Sequence, residues 1–339
     1  VLNDLYQIRC MRSVTESFIF NSPNGEYDQI KYNTNHGIAN FNGNTMMPLN
    51  QYIIKSSYNS AISGEYVNID MLRFVIARGV RFLDFEIVSL DGKPYVALTS
   101  DPSFRIIDTK NKLLLTDVLE AVNAFSFSNP APCPNDPVFI QLRIKSDDPN
   151  VYEQVSKAID SSLTHRRYKS AIDQNTTFND VKGKAVIIFD NDIHPQYKEL
   201  SDCDNPDSDM CYDIKKYINF TSNSEISTKR KYLEFIDSKS GKILSVNEDN
   251  TVNVDKLTIA VPEYFNKTTV KADSNIFTSS DVEHPNIYTY TDNYNVQMLC
   301  YRYYMRDDQL DVCEQFFARH KSSFIPYYIG MAFIKRIQQ

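Results

Sequence analysis

Two carboxylates stand one residue apart, Asp84 and Glu86, in the strand-like run Val80–Val88, where Phe82, Phe85 and Ile87 are apolar. Side chains alternate between the faces of a strand, so both acids project from one face with Phe85 on the other. Carboxylates this close repel unless a cation joins them or one takes up a proton. A second candidate is Lys55-Ser56-Ser57-Tyr58-Asn59-Ser60, a polar cluster directly after the apolar run Tyr52–Ile54. It falls where a parallel strand should end, a usual place for site residues. A third is the loop Asp202–Cys211, with four aspartates between and beside Cys203 and Cys211. It lacks the turn glycine and final glutamate of a calcium loop and reads as a solvated acidic loop, an ordered metal being the alternative. A disulfide between Cys203 and Cys211 is open, and the six cysteines show no zinc-type spacing.

The elements that must position these groups alternate. Met71, Leu72, Val75 and Ile76 recur at helical spacing and Gly79 follows as a stop, which predicts a helix over 69–78 between the first two strands. Further strand-like runs are Val138–Arg143, Ala185–Asp190, Tyr217–Thr221, Leu257–Val261 and Val296–Tyr301, with Phe324–Ile329 as the closing strand. Helices are expected at 151–163, 228–237 and 308–320. Strands alternating with helices argue for parallel βα units.

The same residues carry a resemblance. The stretch from Pro48 to Leu98, with its Ser56-Ser57-Tyr58-Asn59 strand end and paired acids, resembles the catalytic X region of phosphoinositide-specific phospholipases C, where strand one ends in Ser-Ser-His-Asn-Thr. Leu113–Val122 is similar to the family's third segment and Val181–Ile188 to its Lys-Gly-Lys strand. Val296–Cys300, followed by Phe316 and Phe317, is similar to its late barrel segment. The resemblance covers roughly residues 48 to 330 and implies a distorted (β/α)8 barrel of the TIM type, a phospholipase C-like phosphodiesterase architecture in the α/β class.

It also implies a chemistry that this chain departs from. The family cleaves a phosphodiester by attack of the inositol 2-hydroxyl, with two histidines moving the protons. The resemblance puts Tyr58 at one histidine position and Leu98, in the run Gly92–Thr99, at the other. A tyrosine with an ordinary pKa near 10 is a poor base at neutral pH, and leucine transfers no proton. Animal-type members hold calcium with an asparagine and three acids. Here the matching positions are Asn59, Asp84 and Glu86 with the acids in reversed order, and Arg143 at the third. A permanent cation there implies an ion pair in place of the metal, with no cofactor and no calcium. Bacterial relatives also replace the metal with an arginine, but keep both histidines. His194, on the loop after Ala185–Asp190, is the remaining catalytic alternative at a barrel's C-terminal face.

At 339 residues the chain suits one such barrel, residues 48–339, preceded by an N-terminal arm, residues 1–47, whose one apolar patch is Phe18, Ile19 and Phe20. The arm either packs on its own barrel or docks on a neighbouring subunit. It is expected to contribute more to association than to folding. The net charge of −7 gives no basic footprint for nucleic acid, and mean hydropathy of −0.41 accompanies no run long and apolar enough to span a membrane. Starting at Val1 without a signal-type apolar core, the chain is compatible with a processed precursor.

The sequence thus points to a barrel that has lost its chemistry and serves as a structural or binding module with protein neighbours in an assembly. Such barrels are known in large DNA viruses, and the Asn, Lys, Ile and Tyr bias without tryptophan suits an A/T-rich genome, so a virion component such as a minor capsid protein is the expected setting. The alternatives are a phosphodiesterase using Tyr58, His194 and Arg143, and a phosphate or lipid headgroup binder without turnover. An open pocket lined by Lys55, Arg143 and Ser57 would favour the alternatives; a mouth plugged by side chains would favour the first.

Overall fold

Val138–Lys145 is buried at every position, as a strand covered on both faces must be. The computed structural model describes residues 22–31, 37–194, 211–237, 247–263 and 284–339. In chain order these hold α1 (Pro23–Ile30), β1 (Tyr52–Ser57), α2 (Ile69–Ala77), β2 (Phe82–Leu90), β3 (Lys93–Val96), β4 (Leu113–Leu114), α3 (Leu115–Ser126), β5 (Val138–Lys145), α4 (Asn150–Leu163), α5 (Phe178–Val181) and β6 (Ala185–Phe189). They continue with β7 (Phe220–Thr221), β8 (Ser227–Lys231), α6 (Tyr232–Asp237), β9 (Leu257–Val261), α7 (Ile287–Tyr294), β10 (Met298–Tyr301), α8 (Asp308–His320), β11 (Phe324–Pro326) and α9 (Tyr327–Gln338).

Eight strands pair in the order β7-β6-β5-β2-β1-β10-β9-β8, every neighbouring pair parallel. This is the chain order wrapped into a nearly closed TIM-type barrel. The ladder stops between β7 and β8, and side chains bridge that gap: Ser227 Oγ donates to the Thr221 carbonyl at 2.5 Å, and Lys229 of β8 pairs with Asp190 and Asp192 beyond β6. A hairpin of β3 and β4 extends from β2.

Alternation divides the strands' side chains into two cores. Ile53, Leu83, Phe85, Leu142 and Leu299 face the helices, while Tyr52, Ile54, Phe82, Phe139, Ile188 and Met298 fill the barrel. Aromatic rings close its floor, with Phe178 5.0 Å from both Phe41 and Phe324 and Phe41 5.4 Å from Tyr52, centroid to centroid. Phe41 and Met47 lie on the arm side of the boundary expected at Pro48, yet both are buried in this floor. Phe41 N–H donates to Asp136 Oδ1 at 2.9 Å. Helix α1 packs on the same barrel: Tyr27 meets Phe74 edge-on at 6.2 Å. Phe18, Ile19 and Phe20 lie outside the described residues.

Helix α2 starts where Asn68 accepts the Asp70 N–H at 2.7 Å and stops at Gly79. That glycine has φ +82°, and a Cβ there would sit 2.8 Å from Ser323 Oγ, so only glycine turns the chain into β2 without strain. Two expectations are corrected. The helix expected at 228–237 is strand β8 for its first part, because Ser227–Lys231 runs parallel along β9 with Lys229 opposite Ile259; its lysines and arginine hide a barrel-edge strand. Phe324–Ile329 does not close the barrel: Phe324–Pro326 pairs antiparallel with Tyr52–Ile54, and Tyr327 begins α9.

Candidate functional site

The floor is aromatic, so the polar inward positions collect at the C-terminal ends of the strands. On β2 the inward series is Phe82, Asp84, Glu86, and on β5 it is Phe139, Gln141, Arg143, Lys145. Parallel register sets Asp84 opposite Gln141 and Glu86 opposite Arg143. The Arg143 guanidinium forks between the acids. Nε lies 3.0 Å from Asp84 Oδ2, Nη2 2.9 Å from Asp84 Oδ1, and Nη1 2.7 Å from Glu86 Oε2. Nη2 also donates to Asn59 Oδ1. Asn59 sits at φ +50° just past β1, a left-handed turn that asparagine tolerates, and its N–H donates to Asp84 Oδ1 at 3.1 Å.

The Tyr58 ring caps this cluster, with the guanidinium carbon 4.4 Å from its centroid, a cation–π arrangement. Burial pushes the Tyr58 phenol far above its ordinary range, and Asp84 and Glu86 raise it further against the opposing pull of Arg143. Tyr58 is therefore a neutral phenol at physiological pH and no base. Burial works against the Arg143 charge too, but Asp84 first, with Tyr58 and Glu86 after it, more than offsets it, so its pKa rises.

Two participants escaped the sequence reading. Lys145 Nζ lies 3.0 Å from Glu86 Oε1 and donates to the Thr99 carbonyl at 2.7 Å; burial nonetheless lowers its pKa. Gln141 Nε2 donates to Asp84 Oδ2 at 3.0 Å. Both lie two residues from Arg143 on β5, so strand alternation alone could have found them. Glu86 Oε1 also accepts the Thr99 N–H at 2.7 Å.

The remaining candidates are placed differently. Leu98 lines the mouth beside Tyr58. His194 lies away from the cluster, its ring 6.3 Å from Phe104 and 6.4 Å from Tyr152. Lys55 is no pocket residue: on the outer face of β1 it pairs with Glu314 of α8 at 2.9 Å, and Arg78 meets the other oxygen of Glu314 at 2.6 Å. Ser57 is buried against Ser60 Oγ at 2.6 Å. The acidic loop lies outside the described residues up to Cys211, which is buried and disulfide-bonded; the Cys203 pairing lies outside them too.

This geometry accompanies a match of residues 45–190 to the family model of the phosphatidylinositol-specific phospholipase C X domain. Residues 45–190 thus carry the sequence pattern of that X domain. Among solved structures it is similar to PLC21 from L. pealei, with 13% identity and a TM-score of 0.55 over 93% of this chain and 42% of that one. PLC21 from S. officinalis gives 14% identity and a TM-score of 0.54 over 90% and 40%. The chain thus spans about two fifths of either, and at these identities the likeness is one of fold. No curated protein matches its sequence significantly.

The residues that the resemblance matches to a metal position do not fit a calcium ion. Calcium takes six to eight oxygens at roughly 2.3–2.6 Å, whereas here the oxygens of Asn59, Asp84 and Glu86 converge on nitrogens of Arg143. A guanidinium and a dication cannot share that centre.

Proposed function

We propose that this X-domain barrel is catalytically inactive and acts as a structural or binding module. The observation that carries the proposal is the buried Tyr58 phenol, which with Leu98 takes the two positions the resemblance implies for proton transfer and moves no proton at neutral pH; beneath it a guanidinium bonded to Asp84, Glu86 and Asn59 takes the place of the metal of animal-type members. Tyr58 closes over the guanidinium, with Arg143 6% and Tyr58 8% exposed. A fold persists without its chemistry because packing holds it, and Tyr58 and Leu98 here join the two cores.

Composition and the family resemblance support a place in an assembly, such as a minor capsid protein of a large DNA virus, with the N-terminal arm as a contact to protein neighbours. Purified protein given phosphatidylinositol vesicles and calcium should release no more inositol phosphate than buffer. Turnover that disappears on Tyr58→Phe or His194→Ala overturns the inactive reading.

A further inference from the structure

Above the Arg143 cluster the mouth holds a pocket of about 340 Å3. Tyr58, Leu98, Tyr304 and Met305 give it an apolar wall, and Thr109 and Asp108 bring polar groups to its rim. Small-molecule sites have this make-up, an apolar surface with a few convergent polar groups, and begin at roughly 300 Å3.

A ligand's charge is decided by what the nearby cations and acids are already doing. Arg143 commits Nε, Nη1 and Nη2 to Asp84, Glu86 and Asn59. Lys145 is held by Glu86 and the Thr99 carbonyl, and the wall residue Arg302 donates Nη2 to the Glu263 carbonyl at 2.8 Å. A phosphate would have to pull Arg143 and Lys145 from their carboxylate partners, and on the wall it would meet the carboxylates of Glu65, Glu86 and Asp108 against the single cation of Arg302, so its desolvation goes uncompensated. An ammonium fares no better. Glu86 is already met by two cations and Glu65 pairs with Lys110, so an ammonium would have only Asp108 and would be repelled by Arg302 on the same wall.

We propose that the mouth pocket binds an uncharged ligand with a ring-sized apolar body and a hydroxyl, and rejects phosphates. The body packs on Tyr304, Met305 and Leu98. Asp108 accepts from Ser100 Oγ at 3.0 Å through Oδ1, and its other oxygen can accept the ligand hydroxyl. The proposal rests on the inactive reading, since a phosphodiesterase must admit a phosphate.

Benzyl alcohol, benzyl phosphate and benzylamine share one body and differ in charge. Titrated into the full chain by ligand-observed NMR, the alcohol should bind at least about tenfold more tightly than either charged analogue, a difference of about 1.4 kcal/mol or more. Met305→Trp, and Leu98→Phe as a second filling variant, should weaken it by a similar factor while the melting temperature is retained. Equal or tighter binding of benzyl phosphate or benzylamine, no binding of the alcohol, or binding that both variants leave unchanged overturns the proposal. Phosphatidylinositol cleavage run in parallel separates the two claims: turnover removes the inactive reading, whereas a silent enzyme that ignores the alcohol removes only the pocket.

Discussion

Arg143 Nη1 lies 2.7 Å from Glu86 Oε2 across the β2–β5 pair, with only 7% of the arginine side chain and 1% of the glutamate's exposed. Buried to this degree, the pair matters most when one member is removed. Arg143→Ala strands Asp84 and leaves Glu86 to Lys145 alone, and should cost about 3–5 kcal/mol in urea unfolding. The double change Arg143→Met, Asp84→Asn, which keeps Glu86 with Lys145, should recover much of that loss. A cost under about 1 kcal/mol for Arg143→Ala would mean the cluster behaves as a solvated surface pair.

A second buried network lies outside the barrel wall. Glu314 joins Lys55 and Arg78 and accepts from Tyr303 Oη at 2.7 Å. Glu314→Gln should destabilise the fold by about 3–5 kcal/mol, since it leaves Lys55, with no exposed side-chain surface, without its charge partner. Adding Lys55→Met should restore part of the stability, and a double-mutant cycle showing no coupling would contradict the network.

The arm cannot be trimmed freely to the barrel's expected edge. Phe41 packs on Tyr52 and Phe178, so Phe41→Ala should cost about 3–5 kcal/mol by cavity formation. Deleting residues 1–45 removes this ring as well. The structure therefore predicts reduced thermal stability for that deletion, where the sequence suggested an effect chiefly on association. Unchanged melting would show that the floor closes without Phe41.

The floor also carries a pH dependence. Burial raises the Asp136 carboxyl from its ordinary 3.8 to about 6, against the opposing hydrogen bond from Phe41 N–H. The folded pKa is the higher one, so this group's contribution is fully present below about pH 3.8 and is lost as pH rises through about 6. Asp136→Asn removes that dependence. Relative to wild type, the variant should gain on the order of 2–3 kcal/mol between pH 4 and pH 7; parallel stability curves for the two proteins would refute it.

Much of this was legible in the residues. Strand alternation put Asp84 and Glu86 on one face, and helical spacing with Gly79 gave α2. The Arg143 position came from family resemblance, because one strand's sequence does not say which strand lies beside it. Register then supplied what spacing could not, namely that Asp84 stands opposite Gln141 and Glu86 opposite Arg143. The misread segments failed for physical reasons. Ser227–Lys231 is a strand with exposed basic residues at the ladder's end, which composition reads as helix, and Phe324–Pro326 is apolar because Phe324 packs into the floor and Ile325 into the outer core, not because it closes the wall. Lys55 looked like a site residue by its place in a polar cluster, but strand alternation turns it outward to Glu314.

The central claim is that a guanidinium holds the centre a metal would otherwise occupy, and calcium-dependent melting tests it most directly. Millimolar calcium should leave the melting temperature of the wild-type protein unchanged, since Asn59, Asp84 and Glu86 are committed to Arg143. Arg143→Glu, which supplies an acid in place of the cation, should acquire a weak calcium-dependent rise. A calcium-induced rise in the wild-type melting temperature, abolished by Asp84→Asn, would contradict the account.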